Sequence, residues 1–419
     1  RGSETLVHAD KIQLLCFFLV SYLLSRVFVR FDLPKRLVWW LIEEKHLSIS
    51  RLSWLIISGT AILSMLIANV VTLMAMIPVL DLIQNEFKGS ERERSRFSTL
   101  MMLSAVWGAN IGGMGMLTGT TTNGILIAMF EAYKFPVSNQ FTFLSWMSWG
   151  VPLSILLSVL GWLVLMLVFR PARYLAGGEL RAQLSNGNFS PRAQRLALRL
   201  AIMFLVSATM LSSSMSFFPE HRLSLLVISI VWTLAFLYIF FGHQFAVGTA
   251  GERQILLPLA HIFHDLPRKG LLWIGAGVLI TAVLVMLDFP DTVARASMNW
   301  ISRDQSVILL LLIVGAITTF TTEVVSNTVI QIAMFMTLFP LSKIYPDVSW
   351  QMMLIITLSS TCAFMSPIAT PSNGLGFGST RKASIPYMLV AGLLMNITSL
   401  LTITLVVRYF VPVVLSLFA

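Results

Sequence analysis

Charge is scarce in this chain. Asp, Glu, Lys and Arg make up 11% of its 419 residues, against about 25% in soluble domains. That deficit excludes an ordinary soluble enzyme, a disordered chain and a nucleic-acid binder. The alternation of apolar and polar residues that marks a membrane barrel is missing as well. Cysteine is nearly absent: Cys16 and Cys362 are the two, both in apolar segments, and they read as buried thiols with no disulfide role. No signal-peptide pattern opens the chain. No nucleophile–base set stands out, so an enzyme is not expected. What fills the chain instead is apolar length. Hydrophobic residues are 56% of it, the mean hydropathy is +0.82, and apolar stretches of 18 or more residues recur. The fold class expected is an all-α polytopic membrane protein in the cell (inner) membrane.

The first span runs over about Ile12–Val29. An amphipathic stretch follows, Leu33–Leu47, which mixes Lys35, Lys45 and Glu44 with Trp39 and Trp40 as an interfacial helix does. Leu52–Leu82 is too long for one span and is interrupted by Ala68-Asn69 and by Pro78. Phe97–Phe130 is broken at Gly119-Thr120-Thr121-Thr122-Asn123, and Phe143–Phe169 is a plain span. A basic linker, 170–199, is the best internal boundary. Spans over Leu200–Phe218 and Leu223–Phe241 lead to a polar interfacial stretch carrying His261, His264 and Asp265. Gly270–Leu287 spans again. Ser306–Pro340 is interrupted at Glu323 and Ser326-Asn327-Thr328, Gln351–Gly378 at Thr370-Pro371-Ser372-Asn373, and Ile385–Val411 closes the chain.

If the two long Asn-centred segments are hairpins that return to their own side, positive charge sorts cleanly. With the loop at Arg92 in the cytoplasm, 20 of the 29 Lys and Arg fall on the cytoplasmic side and 8 outside, the bias expected of inner loops. Lys343 then lies outside. Residue 1 lies outside too, and the chain opens on Arg1-Gly2-Ser3 rather than on Met, so further spans are expected ahead of it.

The two halves echo each other. Ser64 to Val70 stands against Thr322 to Thr328 at an offset of 258, and Gly119 to Asn123 against Ala369 to Asn373 at an offset of 250. The reading is an inverted-topology repeat with two re-entrant hairpins and two broken helices. The first repeat would occupy 1–169, with the interfacial helix, hairpin 51–85 and broken helix 97–132. The linker 170–199 and scaffold spans at 200–268 would follow. The second repeat would occupy 269–419, with hairpin 305–340 and broken helix 351–379. Non-helical backbone survives at membrane depth only inside protein or around a cavity. Its orphan N–H groups suit an anion and its orphan C=O groups a hard cation such as Na⁺.

At these residues the chain resembles the divalent anion:sodium symporter family of dicarboxylate, citrate and sulfate carriers. Thr322-Glu323-Val324-Val325-Ser326-Asn327-Thr328 resembles its T-E-x-x-S-N-T hairpin. Cys362 to Asn373 resembles its C-A-F-M-x-P-x-A-T-P-P-N break, and Asn110-Ile111-Gly112-Gly113 with Gly119 its N-I-G-G…G-x-P-P-N break. The resemblance implies a homodimer with a scaffold domain and a mobile transport domain that carries the site across the bilayer like an elevator. It implies Na⁺ coupling, although some members are exchangers. Carried over by position, Asn69 and Asn327 would contact both a carboxylate or sulfate substrate and Na⁺. Ser326 and Thr328 would bind a substrate carboxylate, with Thr370 and Pro371 shaping the pocket. Ser64 and the Gly119 carbonyl would ligate one Na⁺; Thr322 and the Val325 and Ala369 carbonyls would ligate the other.

Two positions depart from the pattern. The first-half S-N-T is Ala68-Asn69-Val70, and its P-P-N is Thr121-Thr122-Asn123. One end of a symmetric dianion loses hydroxyl partners, which admits a smaller or asymmetric anion, or a weakened first Na⁺ site. Alternatives to a Na⁺-coupled importer are an anion exchanger, a proton-coupled antiporter of a related fold, and a transport-inactive membrane sensor. Glu323, the one acid deep in a span, could relay protons, but a structural bond to the hairpin backbone is the favoured reading. Gly108 and Gly112, with Gly115, read as helix packing. The sequons at Asn188 and Asn396 are expected to be unused, and His261 with His264 to be surface.

Overall fold

The computed structural model describes residues 46–66, 68–171, 174–176, 191–217, 221–246, 253–259, 268–301, 305–340, 345, 347–380 and 382–418, with scattered positions between 16 and 33. Most of the first span, residues 34–45 of the interfacial stretch, 177–190 of the linker, His261, His264, Asp265, Asn188 and Lys343 lie outside the described residues.

Helices dominate. In the first half they are α1 (Ile49–Leu66), α2 (Asn69–Glu86), α3 (Glu91–Gly115), α4 (Thr121–Ala132) and α5 (Phe143–Phe169). In the middle lie α6 (Pro191–Phe217) and α7 (Arg222–Leu237). The second half holds α8 (Arg268–Met286), α9 (Phe289–Ser297), α10 (Val307–Thr321), α11 (Asn327–Leu338), α12 (Ser349–Ser360), α13 (Pro371–Ser379), α14 (Ile385–Leu405) and α15 (Val411–Ser416). Two antiparallel pairs of three-residue strands are the β structure among the described residues. They pair His46–Ser48 with Tyr174–Ala176, and Gln244–Ala246 with Arg253–Ile255.

Several boundaries differ from the sequence reading. Pro78 does not interrupt α2, which passes through it; an interior proline removes one backbone bond, and packing on α3 tolerates the loss. The charged loop is helical from Glu91, because Glu93 accepts from the Ser90 amide at 2.9 Å and caps the first turn. The linker turns helical at Pro191, a residue preorganised for a first helical position. The end of the interfacial stretch, His46–Ser48, is a strand. Each break lies a few residues earlier than placed, so Thr121-Thr122-Asn123 and Pro371-Ser372-Asn373 are already helical.

Among the described residues, four helices are long and apolar enough to cross a membrane: Phe143–Phe169, Leu223–Gly242, Arg268–Met286 and Ile385–Ser416. The helices flanking Asn69 and Asn327 are shorter. The 15-residue α10 reaches about 22 Å, against a hydrocarbon thickness of about 30 Å.

The core is centred on α3, where every residue from Phe97 to Gly115 is buried. It lies closely on α1, since a Cβ at Gly112 would meet the Ala61 carbonyl oxygen at 2.2 Å and one at Gly108 the Ile57 oxygen at 2.5 Å. The expected glycine packing face is present. Trp107 of α3 meets Phe364 of the second half edge-on, with ring centroids 5.6 Å apart. This main cluster gathers both Asn-centred segments and both breaks. A second cluster joins Val20, Leu24, Val27 and Phe31 to Ala197, Phe204 and Phe236 of α6 and α7, and takes in Val71 of α2. Arg30 Nη1 stitches that cluster to the second strand pair by donating to the Ile255 and Leu256 carbonyls at 2.7 Å each. At the other end of α3, Lys382 pairs with Glu91 and holds its carboxyl below the usual carboxylate range.

Candidate functional site

Four helices begin around one cavity. Asn69 opens α2, Thr121 opens α4, Asn327 opens α11 and Pro371 opens α13. All four line a cavity of about 460 Å³. Each helix start carries unsatisfied N–H groups and roughly half a positive charge. Three of the four, those preceded by Ala68, Thr120 and Ser326, have no side-chain cap. Side chains therefore leave the first amides of these helices open beside the cavity, which suits an anion, while the Val71 and Asn123 amides already bond the Ala68 and Thr120 carbonyls. No Lys, Arg, His, Asp or Glu is among the described residues that line it. Ser326, Thr328, Thr370, Gly119 and Ala369 line it as well, so every predicted substrate residue reaches it.

Behind the two asparagines lie matching clusters of oxygen. Ser64 Oγ is 2.8 Å from Asn69 Oδ1 and 2.7 Å from the Ala109 carbonyl oxygen. Thr322 Oγ1 is 2.7 Å from Asn327 Oδ1 and 2.9 Å from the Ser360 carbonyl oxygen. A hydroxyl has one proton and can donate to one of its two neighbours at a time, so each cluster holds more acceptors than donors. Oxygen-rich clusters of this kind suit a hard cation. Ser64, Thr322 and Val325 are buried behind the cavity wall. Gly113 makes the first cluster possible, because a Cβ there would sit 2.5 Å from Asn69 Oδ1.

The breaks are stapled alike. Asn123 Nδ2 donates to the Gly113 and Met116 carbonyls at 3.0 and 2.9 Å. Asn373 Nδ2 donates to the Ala363 and Ser366 carbonyls, both at 2.8 Å. These are the same contacts 250 residues apart.

Glu323 has no counterpart, Met65 holding its place in the first half. It accepts from the Phe364, Met365 and Ser366 amides at 2.8, 3.0 and 2.8 Å and from Asn396 Nδ2 at 2.7 Å. The structural role expected of it is present, but its partners are the break and α14 rather than the hairpin.

Other contacts were not legible in the motifs. Gln331 Nε2 donates to the Thr122 carbonyl at 2.9 Å, tying α11 to the first break. Asn110 Nδ2 donates to Asn373 Oδ1 at 3.1 Å, tying α3 to the second. The remaining wall comes from α8. Its Ile274, Gly277, Val278 and Thr281 line the cavity, Thr281 Oγ1 accepts from the Ser326 amide at 3.1 Å, and a Cβ at Gly277 would lie 2.5 Å from the Ile368 carbonyl oxygen. The one available signal was Thr281 itself, a lone hydroxyl in an apolar span.

The comparisons with known proteins fit this geometry. The citrate transporter family model matches residues 4–250. The chain belongs to the citrate transporter family, the divalent anion:sodium symporters. It is 27% identical to the sodium-dependent dicarboxylate transporter SdcS of Staphylococcus saprophyticus over 423 residues, covering 96% of this chain and 77% of that protein. SdcS of Staphylococcus aureus strain MRSA252 is 26% identical over 421 residues, covering 96% of this chain and 76% of that one. The chain is thus a secondary transporter and a multi-pass protein of the cell membrane.

Proposed function

We propose that the chain is a sodium-coupled importer of a di- or tricarboxylate, working as an elevator. The observation that carries the reading is the uncharged cavity where four helix starts meet beside two oxygen clusters. Burying an anion without a compensating charge is strongly unfavourable, and no cationic side chain is among the described residues that line this cavity. Cations bound at the oxygen clusters would supply the missing charge, so anion binding requires them. Ser64, Asn69 and the Gly119 carbonyl would hold one Na⁺. Thr322, Asn327 and the Val325 and Ala369 carbonyls would hold the other. Ser326, Asn327, Thr328 and Asn69 would hold the anion, with Thr370 and Pro371 framing it. The relatives named as sodium-dependent dicarboxylate transporters support both the ion and the substrate class.

The matched contacts at offsets of 258 and 250 support an inverted-topology repeat, with α1–α2 and α10–α11 as re-entrant hairpins that do not cross. The two apolar clusters support a transport body holding the hairpins and breaks and a scaffold holding α6 and α7, with Val71 of α2 as the point where the first hairpin packs on the scaffold. The scaffold would form a homodimer, which a mass measurement in mild detergent tests: dimer mass supports it and monomer alone contradicts it. Function is tested by uptake of labelled succinate, citrate and sulfate into proteoliposomes, with and without a Na⁺ gradient.

A further inference from the structure

The two halves present hydroxyls to the cavity from different elements. In the second half they come from the hairpin, at Ser326 and Thr328, whereas the break offers Pro371, which has none. The other break hydroxyls are on Thr370, which is already engaged, donating to Asn373 Oδ1 at 2.9 Å and accepting from the Asn373 amide, and on Ser372, which is buried. In the first half the hairpin offers Ala68 and Val70, which have none. There the residue matching Pro371 is Thr121. It lines the cavity, is exposed to it, and its hydroxyl has no hydrogen-bond partner among the described residues. Thr120 and Thr370, just ahead of the two positions, share the same extended backbone, so the exchange keeps the backbone and changes only the chemistry. Next to it the α4 amides are uncapped, since Thr120 makes no side-chain bond to them.

We infer that Thr121 is a specificity-determining residue that binds the second carboxylate of the substrate, taking the part that Val70 cannot. The inference rests on the anion-carrier reading above and deepens it. One carboxylate lies on Ser326 and Thr328 at the second hairpin. The other lies on Thr121 and the α4 amides at the first break. Val70 and Ala68 are left to pack against the carbon chain. The substrate remains a dicarboxylate despite the stripped first hairpin.

The test is calorimetric binding of succinate to the purified full chain at fixed, saturating Na⁺, after each variant is shown to unfold at the parent's temperature. Thr121→Val keeps the branched shape and removes the hydroxyl, and should weaken succinate by about tenfold or more, the cost of losing a bond to a charged group. Thr121→Ser should bind within a few-fold of the parent. Adding Val70→Thr to Thr121→Val should recover affinity by returning a hydroxyl to the same end. If Thr121→Val binds like the parent while Thr328→Val loses affinity, the inference is overturned and the carrier reading stands. If the parent binds no succinate with Na⁺ present, both fall. Should Thr121→Val not fold, Thr121→Pro replaces it, with the same loss expected and parent-like binding overturning the inference.

Discussion

At the scale of single residues, the site depends on a few groups with no substitutes nearby. Thr328 carries one of two hairpin hydroxyls in the cavity. Thr328→Val should weaken anion binding by about 10- to 150-fold, the equivalent of roughly 1.5–3 kcal/mol for a bond to a charged partner. Calorimetry at fixed Na⁺ reads it. Asn327→Ala should do more, lowering both anion affinity and the Na⁺ dependence, because its Oδ1 sits in the oxygen cluster with Thr322; titrating Na⁺ at fixed anion separates the two effects. Glu323 belongs to stability instead. Its carboxylate accepts three backbone amides and the Asn396 amide. Glu323→Ala strands all four, each unsatisfied buried donor costing about 1–3 kcal/mol. A sharp fall in unfolding temperature in detergent is expected. Glu323→Gln should fall between, since its amide nitrogen opposes a donor. A Glu323→Ala protein as stable as the parent would show that the break holds itself.

Among elements, closeness is set by glycine. The α1–α3 contact has no room at Gly112, where a Cβ would reach 2.2 Å from a backbone oxygen. Overpacking of this kind typically costs about 1–3 kcal/mol. Gly112→Ala should lower the unfolding temperature, whereas Gly124→Ala, with open space at its Cβ, should not. The plain spans and Asn-centred interruptions were legible because hydropathy and helix-breaking residues are local signals. Local pattern sets the breaks a few residues late, because Thr121-Thr122-Asn123 and Pro371-Ser372-Asn373 look like loop residues yet occupy the first helical turn, where caps and prolines belong. Thr281 and Gly277 went unseen because α8 reads as an ordinary span, and only the folded chain brings it against Ser326 and Ile368. Gln331 goes unseen too, and the motif that carries Asn110 gives no sign of what it binds. Their partners lie 209 and 263 residues away, which no local pattern encodes.

For the whole molecule, the two breaks are held by each other's halves. Gln331 of the second half grips the first break, and Asn110 of the first half grips the second. Such cross-ties favour one rigid body around the cavity, as the proposed elevator would need. Positive charge predicts the orientation. An impermeant thiol reagent applied to intact cells should reach a cysteine placed at 343 but not one placed at 92, and the reverse labelling would invert the topology. The central claim is that an uncharged cavity binds an anion because Na⁺ neutralises it. Uptake of labelled succinate into proteoliposomes, with an inward Na⁺ gradient against an equal K⁺ gradient, tests it most directly. The account predicts concentrative uptake with Na⁺ that collapses with K⁺ and in Asn327→Ala. Uptake equally fast without Na⁺ would contradict it.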